Sequence, residues 1–264
     1  MGVVFEAADL NLSRSVAVKI LIGSLFGDRT ALSRFEREAQ VLARLNHPHI
    51  VAIHDYGRLG GDGAYLAMEL LVGVSWRNEL KRLGRIPPAT AAVWFEQLLS
   101  ALSTAHQAGI VHRDLKPENA IIASSDNVGA KLKILDFGLA KMHAHGTSLT
   151  ETGVVMGTVA YMSPEQLRGE PTDERSDIFS VGIMAVEALT GQVPARTPDG
   201  GISVSALHRL LDVRRPGAPA DLPGVLLWCL ADPPNVRCPN VGGMQVGLVK
   251  ALRSFGETAS SATA

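Results

Sequence analysis

The segment IVHRDLKPENAIIASSDNVGAKLKILDFGLA, residues 110–140, gathers the side chains best suited to chemistry. Two short apolar runs, 120–123 and 131–135, flank a polar turn and read as an antiparallel hairpin. Asn119 stands just before the first run and Asp136 just after the second, so antiparallel pairing brings both to one end. An amide oxygen and a carboxylate meeting there suit a hard cation such as Mg²⁺. Asp114 lies five residues before Asn119, in the loop that feeds the same place, with Lys116 between them. One acid, one cation and two oxygen ligands form a site for handling phosphate. Each residue alone is an ordinary loop polar; the string as a whole carries the chemistry.

These side chains need a scaffold. Residues 3–7 and 16–21 read as strands joined by DLNLSR. In the second strand Val16, Val18 and Ile20 share one face, while Ala17, Lys19 and Leu21 share the other. A lysine among small and apolar residues needs an anionic partner. Thr30 can cap a helix to about residue 45, with Leu32, Phe35, Ala39 and Leu42 at helical spacing. Glu38 borders that stripe, and spacing alone offers it Lys19 or Arg34 equally. Residues 47–59 and 64–71 alternate like strands, and Gly73 follows. A long helix spans 91–109, ended by Gly109. Residues 176–191 are apolar nearly all round, which predicts a buried helix closed by Gly191. Weaker helical patterns lie near 203–212, 223–231 and 241–255, and residues 257–264 read as a disordered tail. The outline is a strand-rich 1–73 and a helix-rich 74–256.

Bulk properties narrow the function classes. The 264 residues are 46% hydrophobic, enough for a sizeable core, and the formal net charge of -1 disfavours nucleic acid as partner. Cys229 and Cys238 are the two cysteines, with no second pair for a zinc site, so a reducing cytoplasm is expected. No stretch of about 18 apolar residues is present to span a bilayer, and no signal peptide is visible. His47 and His49 in NHPHI read as structural, and Trp76, Trp94 and Trp228 as core or lobe surface.

HRDLKPEN followed by DFG resembles the catalytic loop and metal-binding turn of the eukaryotic-type, or Hanks-type, serine/threonine protein kinases. VAVK at 16–19, SPE at 163–165 and SDIFSVG at 176–182 extend the resemblance over nearly the whole chain. The wording of HRDLKPEN, GTVAYMSPEQ and RSDIFSVG is closest to the bacterial branch. The resemblance implies an α+β, bilobal fold: a small antiparallel-sheet N-lobe with hinge (1–73) and a mainly helical C-lobe (74–256). It implies transfer of the ATP γ-phosphate to Ser/Thr hydroxyls of proteins, with Mg²⁺, or Mn²⁺ as the alternative ion. Partners are then protein substrates, and the chain itself through autophosphorylation or dimerisation. Small-molecule phosphotransferases of related fold resemble HGD rather than HRD and lack the P-E dipeptide.

Roles follow from the resemblance position by position. Asp114 would orient the substrate hydroxyl, Lys116 would neutralise developing charge, and Asn119 and Asp136 would hold the metal. Lys19 would reach the α and β phosphates, with Glu38 selected as its ion-pair partner. Ala17 and Ile121 would pack on adenine, Met68 would guard the back of the pocket, and Glu69, Leu70 and Leu71 would form the hinge. Val72 stands where relatives often place an acid that touches ribose. Leu42, His112 and Phe137 match the apolar stack that aligns the lobes. Thr150 and Thr152 lie where bacterial relatives are phosphorylated, with Arg113 as the expected phosphate partner. Thr158 resembles the threonine that bonds Asp114 and Lys116, Glu165 and Arg237 the pair that ties the segment to the helical lobe, and Asp177 a structural aspartate. PAR at 194–196 departs from the usual Pro-Phe.

The family covers the phosphates with G-x-G-x-x-G, followed by a valine two residues on. Here Gly2 and Val4 match only its end, so the first two glycines and the first strand are expected to be missing. That loss predicts a weaker hold on ATP and an exposed sheet edge. It also supplies the alternative reading, a pseudokinase or scaffold module with weak nucleotide binding.

Overall fold

Valine and isoleucine crowd Arg14–Ile22, and this stretch forms β2, the strand that carries Lys19. The computed structural model describes residues 2–22, 29–59, 63–123, 131–137, 159–215 and 217–261. β1 (Gly2–Asp9), β2, β3 (Ile53–Leu59) and β4 (Gly63–Glu69) form an antiparallel sheet in the order β1-β2-β4-β3. The register sets Ala17 opposite Met68, Lys19 opposite Leu66 and Leu21 opposite Ala64. Cross-strand partners share a face, so the alternation placed Lys19 correctly, on the face that turns to the core. α1 (Arg29–Ala43) supplies Phe35 and Ala39 to the same core, beside Ala17, Leu21, Leu66 and Met68.

A second sheet, β5 (Gly73–Ser75), β6 (Ala120–Ala123) and β7 (Lys131–Ile134), opens the helical part. Only glycine fits at 73, because a Cβ there would lie 2.3 Å from the Ile122 carbonyl oxygen. α2 (Trp76–Leu83) was not legible from apolar spacing, since Trp76 and Leu80 are its only buried residues. Its caps were the available signal. The Ser75 hydroxyl accepts the Asn78 N–H at 3.1 Å, and Gly84 closes it at φ +72°. Trp76 meets Trp94 and Phe95 edge to face, at 5.3 and 5.0 Å between centroids, so both tryptophans are core residues.

α3 (Pro88–Gln107) and, after the short α4 (Pro164–Leu167), α5 (Glu174–Thr190) form the centre of the large lobe. α5 is buried along nearly its whole length, as its apolar composition requires, and ends at Gly191 in the left-handed region, φ +75°. α6 (Val204–Arg214) and α7 (Leu222–Cys229) pack beside it. α8 (Val241–Met244), a π-helical turn over Gln245–Val249 and α9 (Lys250–Ser261) make one helical run. α9 runs to Ser261, into the stretch from residue 257 expected to be a disordered tail. Leu252 and Phe255 bury against the core and Arg253 pairs with Glu96 at 2.6 Å, so the last turn extends an anchored helix.

Two separate cores mark two lobes. They join where residues 49–51 run along β7: Ile134 N–H donates to the His49 carbonyl at 2.9 Å and Val51 N–H to Ile134 at 3.0 Å. His47 and His49 serve that junction, bonded to Ser100 Oγ at 3.1 Å and the Leu132 carbonyl at 2.9 Å. Among the described residues no helix is long and apolar enough to cross a membrane.

Candidate active site

The β6–β7 hairpin closes as its spacing predicted. Ala120 pairs with Ile134, and one step further the Leu135 N–H donates to the Asn119 carbonyl at 2.8 Å. Asn119 Nδ2 then donates to the Asp114 carbonyl at 2.8 Å and to Asp114 Oδ2 at 3.2 Å. Lys116 Nζ lies 2.9 Å from the same Oδ2. Acid, cation and amide thus occupy one loop, at the hairpin end that leads into Asp136.

His112 and Asp177 hold this loop in place. The buried Asp177, in the first turn of α5, accepts the backbone N–H groups of His112 and Arg113, both at 2.8 Å, and His106 Nε2 at 2.8 Å. Those bonds fix a backbone that turns left-handed at Arg113, φ +63°; the chain is left-handed also at Asp136, φ +52°. Such conformations are costly for non-glycine residues and persist only where neighbours over-determine them. The His112 ring accepts the Asp114 N–H on Nδ1 at 3.3 Å and donates from Nε2 to the Leu135 carbonyl at 2.8 Å. Only neutral imidazole does both, and burial pushes its pKa down accordingly. The charges of Asp177, Asp114 and Asp136 oppose that lowering without overcoming it. Phe137 lies against the ring, 4.8 Å between centroids.

The partner expected for Lys19 is corrected. Its Nζ lies 2.7 Å from Asp136 Oδ2, an ion pair across the cleft. Glu38 instead lines a cavity of about 350 Å³ with Val41, Leu42, Ile110, Arg113 and Phe137. Burial pushes its carboxyl up, partly opposed by the Arg113 charge. The reason is the seat of α1, which lays Glu38 over the 108–113 loop and leaves Asp136 to neutralise Lys19.

Of the residues expected to enclose adenine, Ala17 and Met68 are buried opposite one another and Ile121 is half-buried on β6. Leu71 is half-buried too, whereas Val72 is 75% exposed. Glu69 turns its carboxylate to the Ala52 N–H at 2.8 Å and to Lys133 Nζ at 2.5 Å, so its side chain ties the end of β4 to β7. In β1, Gly2 lies opposite Leu21 and Val4 opposite Lys19.

On the far side of Asp114, α4 docks on the loop. Ser163 N–H donates to Gln166 Oε1 at 2.9 Å, and Gln166 Nε2 to the Arg113 carbonyl at 2.8 Å. Glu165 and Arg237 form the expected pair, a buried two-pronged bridge at 2.7 and 2.9 Å. Burial raises the Glu165 pKa, but the Arg237 hydrogen bonds and charge outweigh it and hold it at about 2. Thr150, Thr152 and Thr158 lie outside the described residues. Sequence spacing missed one further network: Arg77 bridges Glu118 and Glu187, each at 2.7 Å, and Tyr161 OH donates to Glu187 at 2.5 Å. It links α2 and α5 to the residue next to Asn119, and no local pattern signals it.

An acid held beside a cation and an amide, with a second acid at the end of the same hairpin, is suited to aligning a hydroxyl with a metal-bound phosphate. Comparison with known proteins agrees. The protein kinase domain family matches residues 1–218. The serine/threonine-protein kinase PknB of Mycobacterium tuberculosis is 40% identical over 259 residues, covering 95% of this chain and 41% of that protein. PknA of the same organism is 42% identical over 241 residues, covering 90% of this chain and 52% of that one. The chain therefore spans about half or less of the length of these relatives. Crystal structures of the M. tuberculosis PknI kinase domain superpose with TM-scores of 0.76 (a double mutant, 25% identical, covering 96% of this chain and 91% of that one) and 0.73 (27% identical, covering 95% and 91%).

Proposed function

The chain belongs to the protein kinase family, and on that premise we propose that it transfers the γ-phosphoryl group of ATP to serine and threonine hydroxyls of proteins. The observation that carries this reading is the convergence of Asp114, Lys116 and Asn119 in one hydrogen-bonded loop at the end of the hairpin that delivers Asp136. Asp114 orients the acceptor hydroxyl and takes its proton. Lys116 balances charge on the transferred group. Lys19 contacts the nucleotide phosphates, and Ala17, Met68 and Ile121 enclose the base, with the backbone from Glu69 to Leu71 as hinge.

The family uses ATP with a divalent metal, and the donor set here fits Mg²⁺. Asn119 and Asp136 offer hard oxygen atoms at one hairpin end, leaving the remaining positions to phosphate and water. When bound, the ion would neutralise phosphate charge. Asp136 must exchange Lys19 for it, and Lys19 must turn to the phosphates. Thr150 and Thr152 are the proposed autophosphorylation sites, read by Arg113, whose Nε is buried without a partner among the described residues. Free buried cysteines at 229 and 238 suit the reducing cytoplasm.

Labelled-ATP transfer to a protein acceptor tests the reading, with Asp114→Asn and Asp136→Asn alongside. Wild type should label the acceptor on serine or threonine, and both variants should lose about 100-fold or more. Equal labelling by wild type and variants would remove the assignment.

A further inference from the structure

The helix α5 is followed by PAR at 194–196, and its arginine is engaged in an unusual way. Arg196 Nη2 donates to the Ala160 carbonyl at 3.0 Å and the Met162 carbonyl at 2.5 Å, with Val159 O at 3.5 Å, and Nη1 donates to Gly200 O. Its guanidinium lies 5.4 Å from the centre of the Phe179 ring. No ion pair of Arg196 with a carboxylate occurs among the described residues, and its buried Nε has no partner there. A half-buried cation that spends its donors on several backbone carbonyls of one short segment fixes the path of that segment.

That chain leads to the reacting end of the site. Residues 159–162 run into Ser163 and α4, whose Gln166 bonds the Arg113 carbonyl next to Asp114. Ser180 Oγ donates to the Tyr161 carbonyl at 2.8 Å, between the two carbonyls that Arg196 takes. Arg237 grips Glu165 of α4 and also lies over Phe179, at 5.0 Å. Two arginines over one ring thus hold the two ends of 159–165. The Arg196 loop is itself closed, with Thr197 N–H donating to Gly201 O and Gly200 N–H to Thr197 O, both at 2.9 Å. Gly200 comes close to Leu167 of α4.

We propose that Arg196 is a positioning residue for the protein acceptor: it sets the carbonyls of 159–162 that border the place where the acceptor hydroxyl meets Asp114. The proposal rests on the kinase reading and refines which wall of the site receives the protein. It predicts that loss of Arg196 weakens acceptor binding and leaves the nucleotide side alone.

Arg196→Gln and Arg196→Lys in the full chain test it, with KM for a protein acceptor, KM for ATP, kcat, and hydrogen exchange of the 159–163 amides. Arg196→Gln should raise the acceptor KM about tenfold, keep the ATP KM within about twofold, and speed exchange at 159–163 about tenfold. Arg196→Lys keeps the charge without the fork and should fall between. An unchanged acceptor KM with unchanged exchange overturns the proposal, as does an equal rise in both KM values. If wild type transfers no phosphate, the kinase reading fails instead. Exchange then decides alone, and unaltered rates at 159–163 refute the positioning role. If Arg196→Gln does not fold, the same comparisons are made with Arg196→Lys.

Discussion

Lys19 Nζ and Asp136 Oδ2 stand 2.7 Å apart, an ion pair that runs from the small-lobe sheet to the end of the β6–β7 hairpin. On the proposed function, each side chain is the partner the other gives up when a metal nucleotide enters. Lys19→Met should reduce phosphoryl transfer about 100-fold or more, because the phosphates lose their charge partner. MgATP should also shield Lys19 from acylation in the wild type, read by peptide mass mapping. Labelling of Lys19 at the same rate with and without nucleotide would argue against the exchange.

Glu38 gives a second test. Burial raises its folded pKa, so the ionised carboxylate opposes this arrangement above its ordinary pKa of about 4.5 and stops opposing it as pH falls. Glu38→Gln removes that opposition. The melting temperature should hold or rise by about 2 °C in thermal unfolding at about pH 7. A drop in melting temperature would show that the charged form stabilises the fold.

Glu165 and Arg237 form a fully buried pair, and removing one member strands the other. Arg237→Met should cost about 3–5 kcal/mol, measured by urea unfolding, and the double variant with Glu165→Gln should recover part of it. Additive losses would mean that the two residues act independently.

Acid should weaken the fold in two stages. The folded pKa of His112 lies below its ordinary 6.5, so the unfolded chain binds this proton first. Stability present above about pH 6.5 is therefore lost as pH falls below it. Glu165, ordinarily near 4.5 and held at about 2, adds stability above its ordinary pKa that is lost as pH falls toward 2. Urea midpoints at about pH 7 and 5.5 should fall in the wild type, and fall less in His112→Phe. His47 and His54, also lowered by burial, keep a remainder of the slope in that variant. An unaltered slope would remove His112 from this account.

Much of the site was legible because its geometry is local. Asn119 and Asp136 meet through strand pairing, and the alternation of β2 alone put Lys19 on the core face. The partner of Lys19 was not legible, since it depends on where α1 seats over the sheet, a quantity that helical spacing cannot supply. Arg77 and Glu187 are 110 residues apart and meet only through the packing of α2 on α5. α2 itself has too narrow an apolar stripe, and its capping residues carried the signal instead.

Phe179 is fully buried, yet the guanidinium groups of Arg196 and Arg237 both lie over its ring. Replacing it with leucine would withdraw the aromatic shelf from both at once. If Arg196 positions the acceptor as proposed, that change would reach protein recognition from a side chain that never meets solvent.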